Sequence, residues 1–274
     1  MPYFHRNDTP LYYELHGSGP PLLLVAGLAS DSQSWLSVLP ALSECFQVIL
    51  LDNRGVGRSC QVSPVSVGLM ADDCRDLVVH LGFSKVNLLG HSMGGMVAME
   101  CACRYPHLIE NLLLTATAPC NSPRNNLLFS DLAALRETDA DPATWLRMLL
   151  YWIFPDSFFD SLSLVEEVIA SFIDYPYPQS AMAFRRQVEA LAAFDITKCL
   201  CRIKSSTCVI AGELDRLFPV SVAQALAEMI PGAHLAILPE AAHAVHIDQP
   251  DRFVSVVREF LSDPRPGTGA GCTE

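Results

Sequence analysis

Three residues far apart in the chain have the types that nucleophilic acyl chemistry requires. Ser92 stands in Gly90-His91-Ser92-Met93-Gly94, with Gly95 next. Asp215 lies in Gly212-Glu213-Leu214-Asp215-Arg216-Leu217-Phe218-Pro219, and His243 closes Pro239-Glu240-Ala241-Ala242-His243. A serine hydroxyl is a weak nucleophile at neutral pH. It needs a base to take its proton, and the base needs a carboxylate to orient it. Ser92, His243 and Asp215 are the candidates for these three roles, in the chain order Ser, Asp, His.

Each position of the first motif has a physical reason. The serine must stand on a strained turn between strand and helix, so that its hydroxyl projects above a sheet, and small neighbours let that turn close. The following helix aims N–H groups and its positive dipole end at the reacting carbonyl. Three fixed positions match by accident in roughly one chain of this length in ten, so the strand-to-helix setting decides. Acyl transfer also needs two N–H donors for the developing oxyanion. The reading assigns one to Met93, after the nucleophile, and one to Leu28, in Ala26-Gly27-Leu28-Ala29-Ser30.

Each role has a rival. Glu213 is close enough to Asp215 to be the acid, and His246 close enough to His243 to be the base; His246 could also line the pocket or cap the last helix. His91 should point away from the hydroxyl and pack beneath the turn.

The elements that must carry these residues follow from the hydrophobic pattern. Short apolar runs at 11–15, 22–25, 48–51, 86–89, 112–115, 207–211 and 235–238 read as strands. Helical spacing links Trp35, Val38, Leu39 and Leu42, and it recurs over 70–81, 93–104, 220–229 and 252–261. This alternation predicts an α/β fold with a mostly parallel sheet flanked by helices. From 119 to 197 no strand is expected. Helical stretches there are punctuated by Pro142, Pro155, Pro176 and Pro178. The expected division is a core of 1–118 and 198–274, ending in a loose tail at 263–274, with a helical cap at 119–197.

Composition narrows the function classes. Half of the 274 residues are apolar, and the net charge is −12 with no basic run, which disfavours nucleic acid. No apolar stretch approaches the ~20 residues of a membrane span. Ten cysteines without an export signal suggest reduced thiols and a cytoplasmic protein. The pairs Cys101/Cys103 and Cys199/Cys201 lack the usual ligand spacing and read as structural, so no metal or organic cofactor is implied.

Five ordered stretches resemble the α/β-hydrolase superfamily, in particular its small bacterial esterase and enol-lactonase-like members. They are residues 22–28, Asp52-Asn53-Arg54-Gly55-Val56-Gly57-Arg58-Ser59, the 90–95 turn, the 212–219 acid loop, and the stretch from Ala242-His243 to Gln249-Pro250. Two positions depart from the family pattern: Ala26 stands where a histidine is usual, and Ala242 where a glycine is usual. Because the oxyanion donor is a backbone N–H, Ala26 leaves it intact but opens the question of what braces that loop. Dehalogenase- and epoxide hydrolase-like members carry Asp at the Ser92 position. Ring-cleavage hydrolases often carry Trp where this chain has Ala244.

The resemblance implies a cofactor-free serine hydrolase acting on a small-molecule carboxylic ester or lactone. Aromatic residues of the inserted segment, among them Phe129, Trp145, Trp152, Phe154 and Phe184, should mostly pack the cap, with the remainder lining an apolar pocket. Arg185 and Arg186 are read as a solvated face before a carboxylate receptor. The alternatives are a thioesterase, acyltransferase or cofactor-free perhydrolase with the same residues, or a non-catalytic ligand receptor.

Overall fold

The protein is described from a computed structural model covering residues 2–262; the tail expected at 263–274 lies outside the described residues. Its centre is a set of short, almost wholly apolar strands. They are β1 (Tyr3–Arg6), β2 (Thr9–His16), β3 (Pro21–Val25), β4 (Gln47–Leu51), β5 (Val86–His91), β6 (Ile109–Thr115), β7 (Ser206–Gly212) and β8 (His234–Leu238). They form one sheet in the order β1-β2-β4-β3-β5-β6-β7-β8. β2 runs antiparallel to β1 and β4, and the other neighbours are parallel.

Burial on both faces explains the continuous apolar runs. In β3, Leu23 and Val25 join one core layer while Leu22 and Leu24 join the other, the alternation a pleated strand imposes. Fully burying one such leucine contributes about 1.5–3 kcal/mol. The first layer is covered by α2 (Val67–His80) and α3 (Met93–Arg104). The second is covered by α1 (Leu39–Ser43) and α10 (Pro250–Ser262), through residues such as Leu42, Phe253 and Val257. Between α3 and α10 come α4 (Pro123–Arg136), α5 (Pro142–Ile153), α6 (Leu162–Ile173), α7 (Ala181–Ala192), α8 (Val220–Met229) and α9 (Val245–Asp248).

Two expectations are corrected. A strand precedes residue 11: β1 pairs with β2 across a turn in which Asn7 and Asp8 take φ of 46° and 63°, as a tight two-residue hairpin demands. Its Tyr-Phe-His-Arg sequence buries only Phe4 well, so it carries little strand signal. The helix expected through Trp35 and Leu42 is instead a 3-10 turn, Ser32–Trp35, followed by α1. Asp31 caps the turn by accepting from Gln33 N–H, and Pro40 stands in the first turn of the new helix, where its missing N–H costs nothing.

α4 to α7 occupy the chain between β6 and β7. The segment leaves and returns at one point: Cys120 and Asp195 form an isolated antiparallel bridge, and Ile196 N–H donates to the Pro119 carbonyl at 3.0 Å. Among the described residues, no helix is long and apolar enough to cross a membrane.

The strand order places the site. β3 lies between β4 and β5, so the chain leaves β3 for one side and returns on the other. At such a reversal the loops beyond adjacent strand ends diverge and open a crevice. Here those are the loops after β3 and β5.

Candidate active site

Ser92 is the residue between β5 and α3, with φ 54° and ψ −118°. That backbone costs an ordinary residue about 1–3 kcal/mol and persists only where its surroundings hold it. Four hydrogen bonds do so. Ser92 N–H donates to Thr115 O at 2.9 Å, and its carbonyl accepts from Gly95 N–H at 2.9 Å, Met96 N–H at 3.3 Å and Thr117 Oγ1 at 2.7 Å. The motif glycines have a packing origin: a Cβ on Gly90 would overlap the Gly94 backbone, and one on Gly94 would overlap the Val25 carbonyl.

The loops after β7 and β8 bring the other two residues together. Glu213 N–H donates to Leu238 O at 3.0 Å and Leu214 N–H to Ala241 O at 2.8 Å, tying the loops to each other. Asp215 Oδ2 lies 2.9 Å from His243 Nδ1. Asp215 Oδ1 accepts from Leu217 N–H at 2.8 Å and Phe218 N–H at 2.9 Å. One carboxylate oxygen is thus held by backbone while the other faces the imidazole. Both residues are buried.

His91 ties this pair to the nucleophile turn. Its Nε2 donates to the His243 carbonyl at 2.9 Å, and the two rings are 4.9 Å apart. The main chain of residue 243 is therefore fastened to the residue before Ser92. Burial, then the neighbouring His246 and His243, hold the His91 imidazole well below the usual histidine range, so it stays neutral.

The rivals are placed differently. Glu213 is exposed, and its carboxylate accepts from Glu240 N–H at 3.1 Å. His246 is buried between Trp35 and His91, with ring centroids at 4.6 and 4.7 Å. Among the described residues no carboxylate bonds its ring. Burial and His243 push its pKa down to about 3, which makes it a neutral aromatic side chain of the core.

The loop after β3 packs on the same turn. A Cβ on Gly27 would stand 3.2 Å from Ser92 Cβ. Ser30 N–H returns to Gly27 O at 3.3 Å, and Ala29 takes φ 57°. The N–H groups of Leu28 and Met93 carry no hydrogen bond to any described residue. What braces this loop in place of a histidine at position 26 is now visible. Asn53 Nδ2 donates to Ala26 O at 3.1 Å, and Gln187 Oε1, on α7, accepts from Ala29 N–H at 3.2 Å.

Gln187 is one of several links from the inserted segment, among them Arg124 on α4, which donates to the Arg216 and Leu217 carbonyls. Asn125 Nδ2, on α4, donates to Leu217 O at 2.9 Å, and Ile153 O, ending α5, accepts from Ala244 N–H at 3.1 Å. Each of the three loops thus receives at least one bond from α4–α7. Sequence reasoning missed Asn125 and Gln187. Their only signal was a polar residue where the helix pattern calls for burial, since both are fully buried.

Trp145 and Phe184 meet edge-to-face at 5.3 Å and join the core layer that holds Met93 and Phe218, with Leu28 packed against it. Arg185 pairs with Glu137, and Arg186 donates to the Val62 carbonyl. The Cys101 thiol faces Ala71 O and the Cys103 thiol Cys199 O. Among the described residues, no group of three or more His, Cys, Asp or Glu is placed to hold a metal ion.

Comparison with known proteins agrees with this architecture. The alpha/beta hydrolase fold family matches residues 20–250. The protein named "Putative carbamate hydrolase RutD" of Azorhizobium caulinodans is 30% identical over 273 residues, covering 96% of this chain and 99% of its own. The enol-lactonase of Burkholderia xenovorans LB400 superposes with a TM-score of 0.85 at 26% identity, over 96% of this chain and 100% of its own. A thermophilic esterase from Thermogutta terrifontis gives 0.82 at 29% identity, over 93% of each chain.

Proposed function

The chain belongs to the α/β-hydrolase family, and from that premise we propose that it hydrolyses a carboxylic ester or lactone through an acyl-enzyme on Ser92. The observation that carries this reading is the 2.9 Å contact between His243 Nδ1 and Asp215 Oδ2, in a loop fastened to the residue before Ser92. With Nδ1–H donated to the carboxylate, Nε2 keeps its lone pair for the serine proton. Ser92 Oγ attacks the carbonyl, and the N–H groups of Leu28 and Met93 receive the oxyanion. The imidazolium returns its proton to the leaving alkoxide. Water, deprotonated by the same nitrogen, then releases the acid. Helices α4–α7 serve as a cap over this site, and their apolar side chains favour an apolar acyl or alcohol group.

A fluorophosphonate probe followed by peptide mapping tests the reading. Modification is expected on Ser92 and should vanish in Ser92→Ala; an adduct elsewhere, or none, overturns it.

The likeness to the RutD protein supports a second reading, hydrolysis of a carbamate through the corresponding carbamoyl-enzyme. Matched ester, lactone and carbamate substrates with a common leaving group separate the two by their kcat/KM.

A further inference from the structure

We propose that Gln187 is a positioning residue that sets the oxyanion loop from the inserted helices. The inference rests on the reading of Ser92 as nucleophile and Leu28 N–H as oxyanion donor. Gln187 sits on α7 with no solvent exposure. Its Oε1 accepts from Ala29 N–H at 3.2 Å and from Gln179 Nε2 at 2.9 Å, while its Nε2 donates to the Arg54 carbonyl at 3.1 Å. Gln179 Nε2 also donates to the Gly55 carbonyl at 2.8 Å. One buried amide thus joins the loop after β3 to the loop after β4.

The orientation of that amide is determined by its partners. Turning it over would set an NH2 group against Ala29 N–H and an oxygen against the Arg54 carbonyl, two repulsive contacts in a buried place. Ala29 is left-handed at φ 57°, a conformation that needs support from outside the loop. Ala29 N–H belongs to the peptide unit that follows Leu28. Holding this unit fixes the C-terminal side of Leu28, while the packing of Gly27 against Ser92 and His91 fixes the N-terminal side. Together they set the direction of Leu28 N–H. Without Gln187, Ala29 N–H is a partly buried donor that has lost its acceptor, and rotation of its peptide to find another swings Leu28 with it.

The test compares Gln187→Met, close in shape but unable to hydrogen-bond, with Gln187→Glu, whose protonated acid keeps an oxygen for the Ala29 and Gln179 donors and an O–H for the Arg54 carbonyl. The readouts are steady-state hydrolysis of p-nitrophenyl acetate, inhibition by a trifluoromethyl ketone and thermal unfolding. The ketone forms a hemiketal oxyanion on the serine, so its affinity reports the oxyanion donors directly. Q187M is expected to lower kcat about tenfold or more and to raise the ketone's inhibition constant by a similar factor, with KM within about twofold. Q187E should recover part of both losses.

A merely structural role would lower the melting temperature and leave ketone affinity, corrected for the folded fraction, unchanged. That result overturns the proposal, as does a Q187M enzyme with wild-type kcat. Should Q187M fail to fold, Gln179→Leu removes the amide that steadies Gln187 Oε1. It should lower kcat and ketone affinity together by about threefold, and unchanged values sink the proposal. Failure of the functional reading looks different, because wild-type protein would then show neither turnover nor a fluorophosphonate adduct on Ser92.

Discussion

Two buried carboxylates are handled in opposite ways in two regions of this molecule. On α2, Asp73 meets the Arg54 guanidinium through two bonds of 2.6 Å, and Arg54 also donates to Pro64 O at 2.9 Å. Burial holds the Asp73 carboxyl above its usual range, and the guanidinium offsets only part of that rise. In the loop after β7, Asp215 gives one oxygen to two backbone N–H groups and the other to His243. In the first region the pair is consumed and preserves a loop. In the second, an imidazole is oriented and its remaining nitrogen stays uncommitted. Under the proposed function, burial with a partner is common to both regions, and what sets the reactive one apart is a titratable partner with one hand free.

Breaking the second pair, or removing the serine it is proposed to serve, should have the largest effect. Ser92→Ala and Asp215→Asn are each expected to cost about 10⁴-fold in kcat or more, equivalent to about 5 kcal/mol, while the melting temperature stays within a few degrees. Steady-state hydrolysis beside calorimetry checks this. A large loss of stability in Asp215→Asn would move that carboxylate into the structural class.

The first pair should show the reverse. Arg54→Met leaves buried Asp73 with only the longer 3.7 Å contact to Arg6 as counter-charge and should cost up to about 3–5 kcal/mol in urea unfolding, with kcat per folded molecule kept within about threefold. Adding Asp73→Leu should recover most of that stability, because an apolar pair restores what a lone charge forfeits. No recovery would mean that the ion pair itself does the holding.

Asp248 supplies the intermediate case and the smallest effect. It accepts from Ala242 N–H at 2.8 Å, and burial pushes its pKa up to about 6. A raised carboxyl pKa means that the native state binds the proton more tightly than the unfolded chain. Its stabilising contribution is complete below the unfolded value of 3.8 and is lost as pH rises through about 6. Asp248→Asn can still accept from Ala242 N–H and should flatten the stability profile across that window. An unchanged profile from pH 4 to 7 would remove Asp248 as its source.

Much of the architecture was readable from the chain because the physics was local. Residues 22–25 and 48–51 are apolar throughout, which a strand buried on both faces requires, and the structure has strands there. The glycines around Ser92 announce a tight turn because only glycine fits the contacts that the turn makes. Where local physics was mute, the sequence said less. β1 has no apolar alternation because it is four residues long, with aromatic Tyr3 facing outward and charged Arg6 on the same face as Phe4, and Pro40 divided what spacing alone joined into one helix. His243 and His246 were separable only by distance, since a carboxylate near residue 215 has no sequence proximity to either. Gln187 and Asn125 gave only the faint signal of a polar residue at a position that the helix pattern buries. A polar side chain on a helix looks alike whether it meets water or a buried carbonyl.

The narrow neck at Cys120 and Asp195 has a practical corollary. A segment that departs and comes back through adjacent residues can be exchanged for that of a relative without cutting the sheet, an obvious route to new substrate preferences. Asn125, Ile153 and Gln187 make such a graft conditional. A transplanted segment must bring its own donor for the Leu217 carbonyl and its own acceptors for the amides of Ala29 and Ala244, or a chimera that folds will do so around misaligned loops.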